Sequence, residues 1–572
     1  MALFIEIFPI KLREAFFCGS MLRGPAFFYN YFFILQGNFD RIIFRYLYAL
    51  KESFWEPNPL AVTPLYNCCM HKVSSGCQDI LSIANHSYKV NAAMVFQKCP
   101  QYSIVGNSVN IHPTVNEAAS IFTRAGKQVY LVGGAVRDLI RGRKAKDWDL
   151  ATDALPEEVI DLFRNRRIQK HNEHIQCFVI PTGIKHGTVT VHYRGFNMEV
   201  TTFRSESGYS DGRRPDKVEF GSSMEEDLSR RDFTMNAAAY KLPSGPLLDP
   251  FNGRGDIEKH IIRCVGNPEE RFSEDGLRPV RALRFASQLN FTVDRNALAA
   301  IPGALALTAK VAPERIRDEL DKILAAEKPS TSLLLMEETG LLKLLLPELA
   351  ACRGVEQKGF HQFDVLDHSL LACDFAAAEG MGEEVRLAAL YHDTGKPGTV
   401  ETGADGVRTF YRHEKESSAL TRNLMLRFKY PNAITDRVCH LIEEHMFHYD
   451  ETWTDAAVRR FIIRAGEDNL RDLYDLRRAD AYGMAKIKPP PAALLPLIER
   501  IETILAQSRA LSLRDLAISG RELIKLGIPP GKHMGIILNE LLEAVLEDPG
   551  QNTKETLVAI ARNIYQRYLN PL

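Results

Sequence analysis

The chain has 572 residues, well beyond the about 250–300 residues that a single hydrophobic core supports, which excludes a one-domain protein. Hydrophobic residues at 45% and charged residues at 25% describe an ordinary globular composition and exclude a wholly disordered chain. A formal net charge of −1 and a pI near 7.0 exclude bulk charge as a route to nucleic acid, so any such face is a local basic patch.

Residues 1–110 are aromatic-rich and irregular, with the run AFFYNYFFIL at Ala26–Leu35. That run is too short to span a bilayer, which needs about 20 apolar residues, so no membrane partner is expected. Lys11 and Arg13 precede Phe16-Phe17, but no signal-peptide core with a small-residue cleavage site follows. The segment reads as an extension of unknown role, either poorly structured or an accessory or targeting piece. Five of the 10 cysteines (Cys18, Cys68, Cys69, Cys77 and Cys99) lie here. The rest are scattered without paired Cys-x-x-Cys spacing, which points to reduced thiols and a cytoplasmic location.

From Ile111 the pattern becomes regular. Pro113–Arg124 is expected to be a helix ended by Gly126, and Val129–Val132 a short buried strand. Gly133 and Gly134 follow, then a turn with Arg137 and Asp138, then a basic connector to Asp147-Trp148-Asp149. On a strand, side chains at i and i+2 share a face, roughly 6.5 Å apart along the chain. Asp147 and Asp149 can therefore hold a hard cation such as Mg²⁺. The glycine pair lets backbone N–H groups approach phosphate, and a helix start behind it favours anions. Phosphate cradle, arginine and paired carboxylates together point to two-metal nucleotidyl transfer.

Pro156–Phe163 reads as a helix, followed by a basic cluster of Arg164, Arg166, Arg167 and Lys170, which suits a solvated face or a nucleic-acid contact equally. Strands are expected at Cys177–Ile180, Thr188–His192 and Met198–Phe203, the last carrying Glu199. The Gly, Ser, Asp and Pro content of Arg204–Phe220 makes it a mobile loop. The stretch LSRRDFTMNAAAY is expected to begin a helix at Leu228, and Asp249–Gly253 is a turn.

In SEDGLRPVRALRF, Ser273–Phe285, Pro279 places a helix start near Asp275–Gly276. Arg278, Arg281 and Arg284 then recur every three residues along one side. The arginine fork suits phosphate and base edges alike, and an aspartate beside it adds acceptors. Such a pair could hydrogen-bond the edge of an incoming base. From Pro313 the pattern is almost entirely helical, beginning with ERIRDEL at Glu314–Leu320. Within it stand Asp367-His368, His392-Asp393-Thr394-Gly395-Lys396, His413-Glu414, Glu444-His445 and Ala479-Asp480. Imidazole and carboxylate are ligand types for a divalent metal, which would activate water against a phosphoester. The last stretch reads as two helices around a turn at Gly527–Gly531, with Lys532 and His533 at that turn.

GGAVRD, DWD, RRDFTMNA, DPFNG and EDGLR together resemble the class II tRNA nucleotidyltransferase/poly(A) polymerase family, a branch of the polymerase-β-like nucleotidyltransferases. The resemblance runs from Ile111 to the C-terminus and implies an α+β fold: a nucleotidyltransferase head with a mixed sheet, then all-α neck, body and tail. The divisions it implies are a head at 111–255, a neck at 256–330, an HD phosphohydrolase-like domain at 331–500 and a tail at 501–572 that contacts tRNA. It implies addition of CCA to tRNA 3′ ends from CTP and ATP, with Asp147 and Asp149 as metal ligands and Glu199 as a third carboxylate. Gly133, Gly134, Arg137 and Arg231 would bind the nucleotide. The loop at Arg204–Phe220 would help the site switch from C to A. Asp275 and Arg278 would read the base, supported by Arg281 and Arg284. His368, His392, Asp393 and Asp480 match the H…HD…D order of the HD phosphohydrolases. His413 and His445 match the extra histidines of some members, which implies a second divalent metal and phosphoester hydrolysis, including of 2′,3′-cyclic phosphates. A poly(A) polymerase, an A-adding or CC-adding specialist, and a non-catalytic RNA-binding scaffold are the alternatives. The oligomeric state is not legible.

Overall fold

The structure, a computed structural model, describes residues 111–572 except 146, 165–168, 171–172, 175–176, 182, 208–216, 222, 358–360, 405–406, 508–511 and 570–572. Its front half is a seven-stranded sheet. The strands are β1 (Val129–Val132), β2 (Trp148–Thr152), β3 (Cys177–Ile180), β4 (Thr188–Tyr193) and β5 (Phe196–Thr202). After a hairpin of β6 (Arg204–Ser207) and β7 (Lys217–Phe220), β8 (Ala239–Lys241) and β9 (Leu247–Leu248) complete it. The order is β9-β8-β1-β2-β5-β4-β3. The β2–β5 pair is parallel and the other pairs are antiparallel, so the sheet is mixed.

Helices α1 (Pro113–Arg124) and α3 (Pro156–Phe163) cover one face, burying Val115, Phe122 and Phe163 against Leu131, Leu150 and Val200. The opposite face packs Tyr130, Val132 and Ala151 on Phe203 and Leu228. Burial on both faces is why β1 is uniformly apolar rather than alternating. Between β1 and β2 lies α2 (Gly134–Ile140).

Two expectations need correction. Leu228 does not begin a helix: α4 spans Met224–Ser229 and stops there. Every residue from Phe233 to Tyr240 is buried, a run that a one-faced surface helix cannot accommodate. Asp232 Oδ1 instead accepts from the Phe233 N–H at 2.8 Å and from Asn236 Nδ2 at 3.2 Å, and the chain makes a 3₁₀ turn at Thr234–Asn236 before β8. The loop expected at Arg204–Phe220 is a hairpin at its base, with Arg204 in register with Phe220, while its centre lies outside the described residues. In the basic cluster, Arg164 is exposed, Arg166 and Arg167 lie outside the described residues, and Lys170 ends a two-residue strand.

The chain leaves the head through Asp249–Gly253. Asp249 accepts from the N–H groups of Gly253 at 2.6 Å and Arg254 at 2.9 Å. A Cβ on Gly253 would stand 2.1 Å from the Thr234 carbonyl oxygen, so backbone packs directly on backbone there. Beyond it come α5 (Pro268–Glu274), α6 (Arg278–Leu289) and α7 (Pro313–Leu324). They lead into α8 (Val365–Ala378), α9 (Glu383–Tyr391), α10 (His413–Arg427), α11 (Asn432–Glu444), α12 (Asp455–Ala465) and α13 (Leu470–Ala485). One continuous core runs from Phe233 and Met235 through α6 and α8 to Ile504. The final helices α14 (Lys532–Glu547) and α15 (Lys554–Leu569) have a separate core of Leu523, Ile537, Leu541, Leu557 and Ile564.

Because the Gly253 contact is with a backbone atom, Gly253→Ala is expected to cost about 1–3 kcal/mol through forced displacement of the Thr234 turn. A thermal melt checks it, and an unchanged transition would show that the turn yields freely.

Candidate active site

The first cluster forms where β1, β2 and β5 end together. Asp149 on β2 lies in register with Glu199 on the parallel strand β5. Asp147 stands one residue before β2 rather than on it, and is exposed. The three carboxylates still act on one another. Burial first, then the charge of Glu199, and more weakly that of Asp147, push the Asp149 carboxyl up to about 6, against the opposing pull of Arg231. Gly133 faces this group at φ 70, a backbone state that favours glycine. A Cβ on it would stand 3.4 Å from Asp149 Oδ2 and 3.5 Å from Arg231 Nη1, so its bare backbone leaves the acids open. Carboxylate oxygens in mutual repulsion are a donor set suited to a hard divalent cation, whose charge would relieve that repulsion.

Arg231 is aimed by Asp227, a residue that sequence reasoning did not single out. Asp227 is buried, and its Oδ2 accepts from Arg231 Nη2 at 3.1 Å while its Oδ1 accepts from Arg230 Nη2 at 2.6 Å. Burial alone would raise this carboxyl, but the two guanidiniums outweigh it and hold it below the usual range. Arg231 Nε is buried with no hydrogen-bond partner among the described residues, a donor left over for a ligand. Arg137 lies on α2, close behind Gly134. It is buried, donates to Asn236 Oδ1 at 3.1 Å and Asp138 Oδ1 at 3.0 Å, and lies over the Phe285 ring. Gly134 opens its helix beside it.

The second part of the cluster is the start of α6. Arg278 donates to the carbonyls of Arg271 at 2.8 Å and Arg230 at 3.1 Å, and pairs with Glu274. Asp275 Oδ2 accepts from Arg315 Nη2 at 2.8 Å. Arg281 donates to Asp232 Oδ2 through Nε at 2.9 Å and Nη2 at 2.7 Å. Arg284 is buried against Glu319, 2.6 Å away, and burial pushes its guanidinium down to about 10. Arg281 and Arg284 both lie over Phe285. The three-residue spacing thus yields an Arg278 tied to the head through the Arg230 carbonyl and two arginines that brace the helix from inside. Arg315 and Glu319, four residues apart in ERIRDEL, supply the partners; their spacing was visible in the sequence, their targets were not.

A separate centre lies in the helical half. His368 on α8, His392 and Asp393 after α9, His413 opening α10, His445 after α11 and Asp480 on α13 converge, all buried. His368 Nε2 is 3.0 Å from His392 Nε2, 3.2 Å from Asp393 Oδ2 and 3.3 Å from Asp480 Oδ1. His413 Nε2 is 3.2 Å from Asp393 Oδ1, and His445 Nε2 is 3.9 Å from the same oxygen. The outer nitrogens of His392, His413 and His445 lie at hydrogen-bond distance from the carbonyls of Ala389, Phe410 and Ile442, so each Nε2 faces inward. Asp393 Oδ1 and His413 Nε2 are buried without a hydrogen bond among the described residues. Burial lowers His392, but Asp393 and Asp480 carry it up to about 10; burial and the His392 charge press His445 down to about 3. Two triads, His368–His392–Asp480 and His392–Asp393–His445, each bring their ligand atoms within 4.8 Å of one another, a nitrogen and oxygen donor set that fits a divalent metal.

The head acids carry a sign-definite consequence. Asp149 titrates near 6 in the fold against an ordinary 3.8, so its charge destabilises the metal-free fold above about pH 6, and the penalty fades as pH falls toward 3.8. With chelator present, Asp149→Asn is expected to melt above wild type at about pH 7.5, with the gap narrowing as pH falls toward 3.8. A wild type that melts as high as the variant at the upper pH would contradict it.

The "Poly A polymerase head domain" family matches residues 129–263, the "Probable RNA and SrmB- binding site of polymerase A" matches 290–353, and a tRNA nucleotidyltransferase domain 2 family matches 409–561. The chain is 35% identical over 439 residues to the CCA-adding enzyme of Levilactobacillus brevis, covering 76% of this chain and 94% of that protein. It is likewise 35% identical over 436 residues to that of Lactobacillus johnsonii, covering 76% and 92%. Among solved structures, the CCA-adding enzyme of Bacillus stearothermophilus in complex with CTP aligns over 80% of this chain and 100% of that one, at 30% identity and a TM-score of 0.61. Three family matches along the chain and relatives covered almost end to end place it in the family of the CCA-adding enzymes, the tRNA nucleotidyltransferases with a poly(A) polymerase head.

Proposed function

We propose that this chain completes tRNA 3′ ends by adding C, C and A from CTP and ATP, without a nucleic-acid template. The observation that carries the reading is the junction of the three head carboxylates with the Asp275–Arg278 helix start through Arg230 and Arg231. The terminal RNA 3′-hydroxyl attacks the α-phosphorus of the nucleotide, a new P–O bond forms, and the bond to pyrophosphate breaks. Mg²⁺ held by Asp147 and Asp149, with Glu199 beside them, would neutralise charge on the attacking and leaving oxygens. Gly133 leaves room for the triphosphate, and Arg231 Nε offers it a donor. Asp275 accepts from the exocyclic amino group of C or A, and Arg278 donates to the ring nitrogen. U and G present a carbonyl where Asp275 needs a donor. We read 111–255 as the catalytic head, 256–330 as the base-reading neck and 501–572 as a tRNA-contacting tail. Reduced thiols at Cys264, Cys352, Cys373 and Cys439 support a cytoplasmic setting.

A second activity is favoured by the convergence of His368, His392, Asp393, His413, His445 and Asp480. We infer that 331–500 is an HD-type domain that binds its own divalent ion and hydrolyses phosphoesters. Water adds to phosphorus there, the ester P–O bond breaks, and the leaving oxygen takes up a proton.

Incubation with tRNA lacking its 3′ end, with CTP and ATP separately and together, tests the first reading. Products ending in CC with CTP alone and in CCA with both are expected; A-tailing with ATP alone would point to a poly(A) polymerase. Asp147→Ala or Asp149→Ala is expected to lower addition about a thousandfold or more, in line with losing several kcal/mol of metal stabilisation. Asp275→Ala should cut discrimination against UTP and GTP by roughly ten- to a hundredfold in single-turnover incorporation. An equal loss for all four nucleotides would assign base reading elsewhere. Hydrolysis of phosphoesters with Mn²⁺ or Ni²⁺ should disappear in His392→Ala/Asp393→Ala but survive Asp149→Ala. Loss of hydrolysis in both would place that activity in the head.

A further inference from the structure

The sheet face that carries Asp149 and Glu199 differs between its two halves. Over β1 and β2 it is core, with Tyr130, Val132 and Ala151 buried against Phe203, Met224 and Leu228. Beyond β2 the same face continues through the register. Asp149 pairs with Glu199 on β5, Glu199 with Thr190 on β4, and Thr190 with Ile180 on the edge strand β3. This row crosses three strand spacings, about 14 Å, from the head acids to the sheet edge. The row beside it holds Asn197, His192 and Phe178. Val189, Val191 and Tyr193 turn into the core on the other side, so Thr190 and His192 belong to the open face.

That open half is apolar and ring-bearing where a solvated strand would be polar. Phe178 and Ile180 are each 41% exposed. The Phe178 ring is stacked on His192, with centroids 4.5 Å apart and planes 19° from parallel. His192 Nδ1 lies 2.8 Å from Asn197 Oδ1, which fixes the ring. In-line displacement puts the attacking and leaving oxygens on opposite sides of phosphorus. Gly133, at the end of β1, and Arg231 stand on the β1 side of Asp149, where the triphosphate and its leaving pyrophosphate would lie. The attacking 3′-hydroxyl then arrives from the opposite side, over Glu199, and the nucleotide that carries it lies over β4 and β3.

We propose that Phe178, stacked on His192 and flanked by Ile180, is the platform on which the terminal base of the RNA acceptor stacks. The inference rests on reading this head as adding nucleotides to an RNA 3′ end. The terminal base is C after each of the first two additions and unspecified before them, so the platform has to hold it without reading its edge. Stacking does this, because every base has a π-face.

The test uses the full chain and a tRNA ending one residue short of CCA, with 2-aminopurine as its last base, whose fluorescence falls when the base is stacked. Binding to the wild type without nucleotide should quench it. Phe178→Tyr should quench equally, while Phe178→Leu, which keeps the apolar bulk and loses the ring, should not. In addition assays with unlabelled acceptor, Phe178→Leu should raise the KM for tRNA roughly ten- to a hundredfold and leave the KM for CTP unchanged. Matched melting temperatures show that the variants fold. No quenching by a wild type that adds nucleotides, or an unchanged KM for tRNA in Phe178→Leu, overturns this inference alone. A change of oligomeric state in Phe178→Leu with tRNA binding intact would assign the face to a second copy of the chain and overturn it likewise. Failure of the wild type to extend any tRNA overturns the addition reading and this inference together.

Discussion

Asp227 and Asp232 are carboxylates inside the protein, and each stays charged because guanidinium groups surround it. Asp227 draws in Arg230 and Arg231, and Asp232 draws in Arg281. Through these pairs the two acids tie the head carboxylates to the start of α6. Arg231 reaches back toward Gly133 and Asp149, while the Arg230 carbonyl receives Arg278 at the start of α6. Breaking one partner of such a buried pair costs about 3–5 kcal/mol, because the remaining charge is stranded. The head acids and the start of α6 are thus referred to one bracket.

Asp275 and Arg278 already have partners within the fold. Asp275 is satisfied by Arg315 and Arg278 by Glu274. A guanidinium on Asp275 presents donors, as the amino group of C or A does, and a carboxylate on Arg278 presents acceptors, as a ring nitrogen does. In the proposed base-reading role, an incoming base would exchange like for like with these protein groups. A base with the reversed pattern would give up these pairs and receive nothing equivalent, which adds to its rejection.

Much of the fold was legible because proline, glycine and alternation mark it locally. Pro113–Arg124 and Pro156–Phe163 form as the proline starts require, and β1 follows its apolar run. The segment after α4 was misread because continuous burial from Phe233 to Tyr240 erases any period. Residue types at the centres were readable, but their partners were not. Arg315 and Glu319 acquire meaning only when distant segments meet, as Arg315 meets Asp275 and Glu319 meets Arg284. The arginine triplet of α6 shows the same limit: equal spacing in sequence, yet Arg284 faces Glu319 inside while Arg278 faces the head. The coupling of Asp147 to Asp149 survived although Asp147 falls just outside the strand, since charge acts over distances that tolerate a bend.

The tail is joined to the rest by a different kind of force from the one that joins neck and body. Neck and body share a single apolar core, whereas the tail core is its own. At the boundary Arg459 donates to the Leu546 carbonyl at 2.8 Å and Arg460 to Glu543 Oε2 at 2.8 Å, with Glu547 as a second partner. Apolar burial is indifferent to dissolved ions or strengthened by excluded ones, while half-exposed ion pairs weaken as a Debye length of about 10 Å shrinks. Rising ionic strength therefore weakens the Arg460 pairs at the tail boundary, while the buried Arg459–Leu546 hydrogen bond and the core shared by neck and body are left in place.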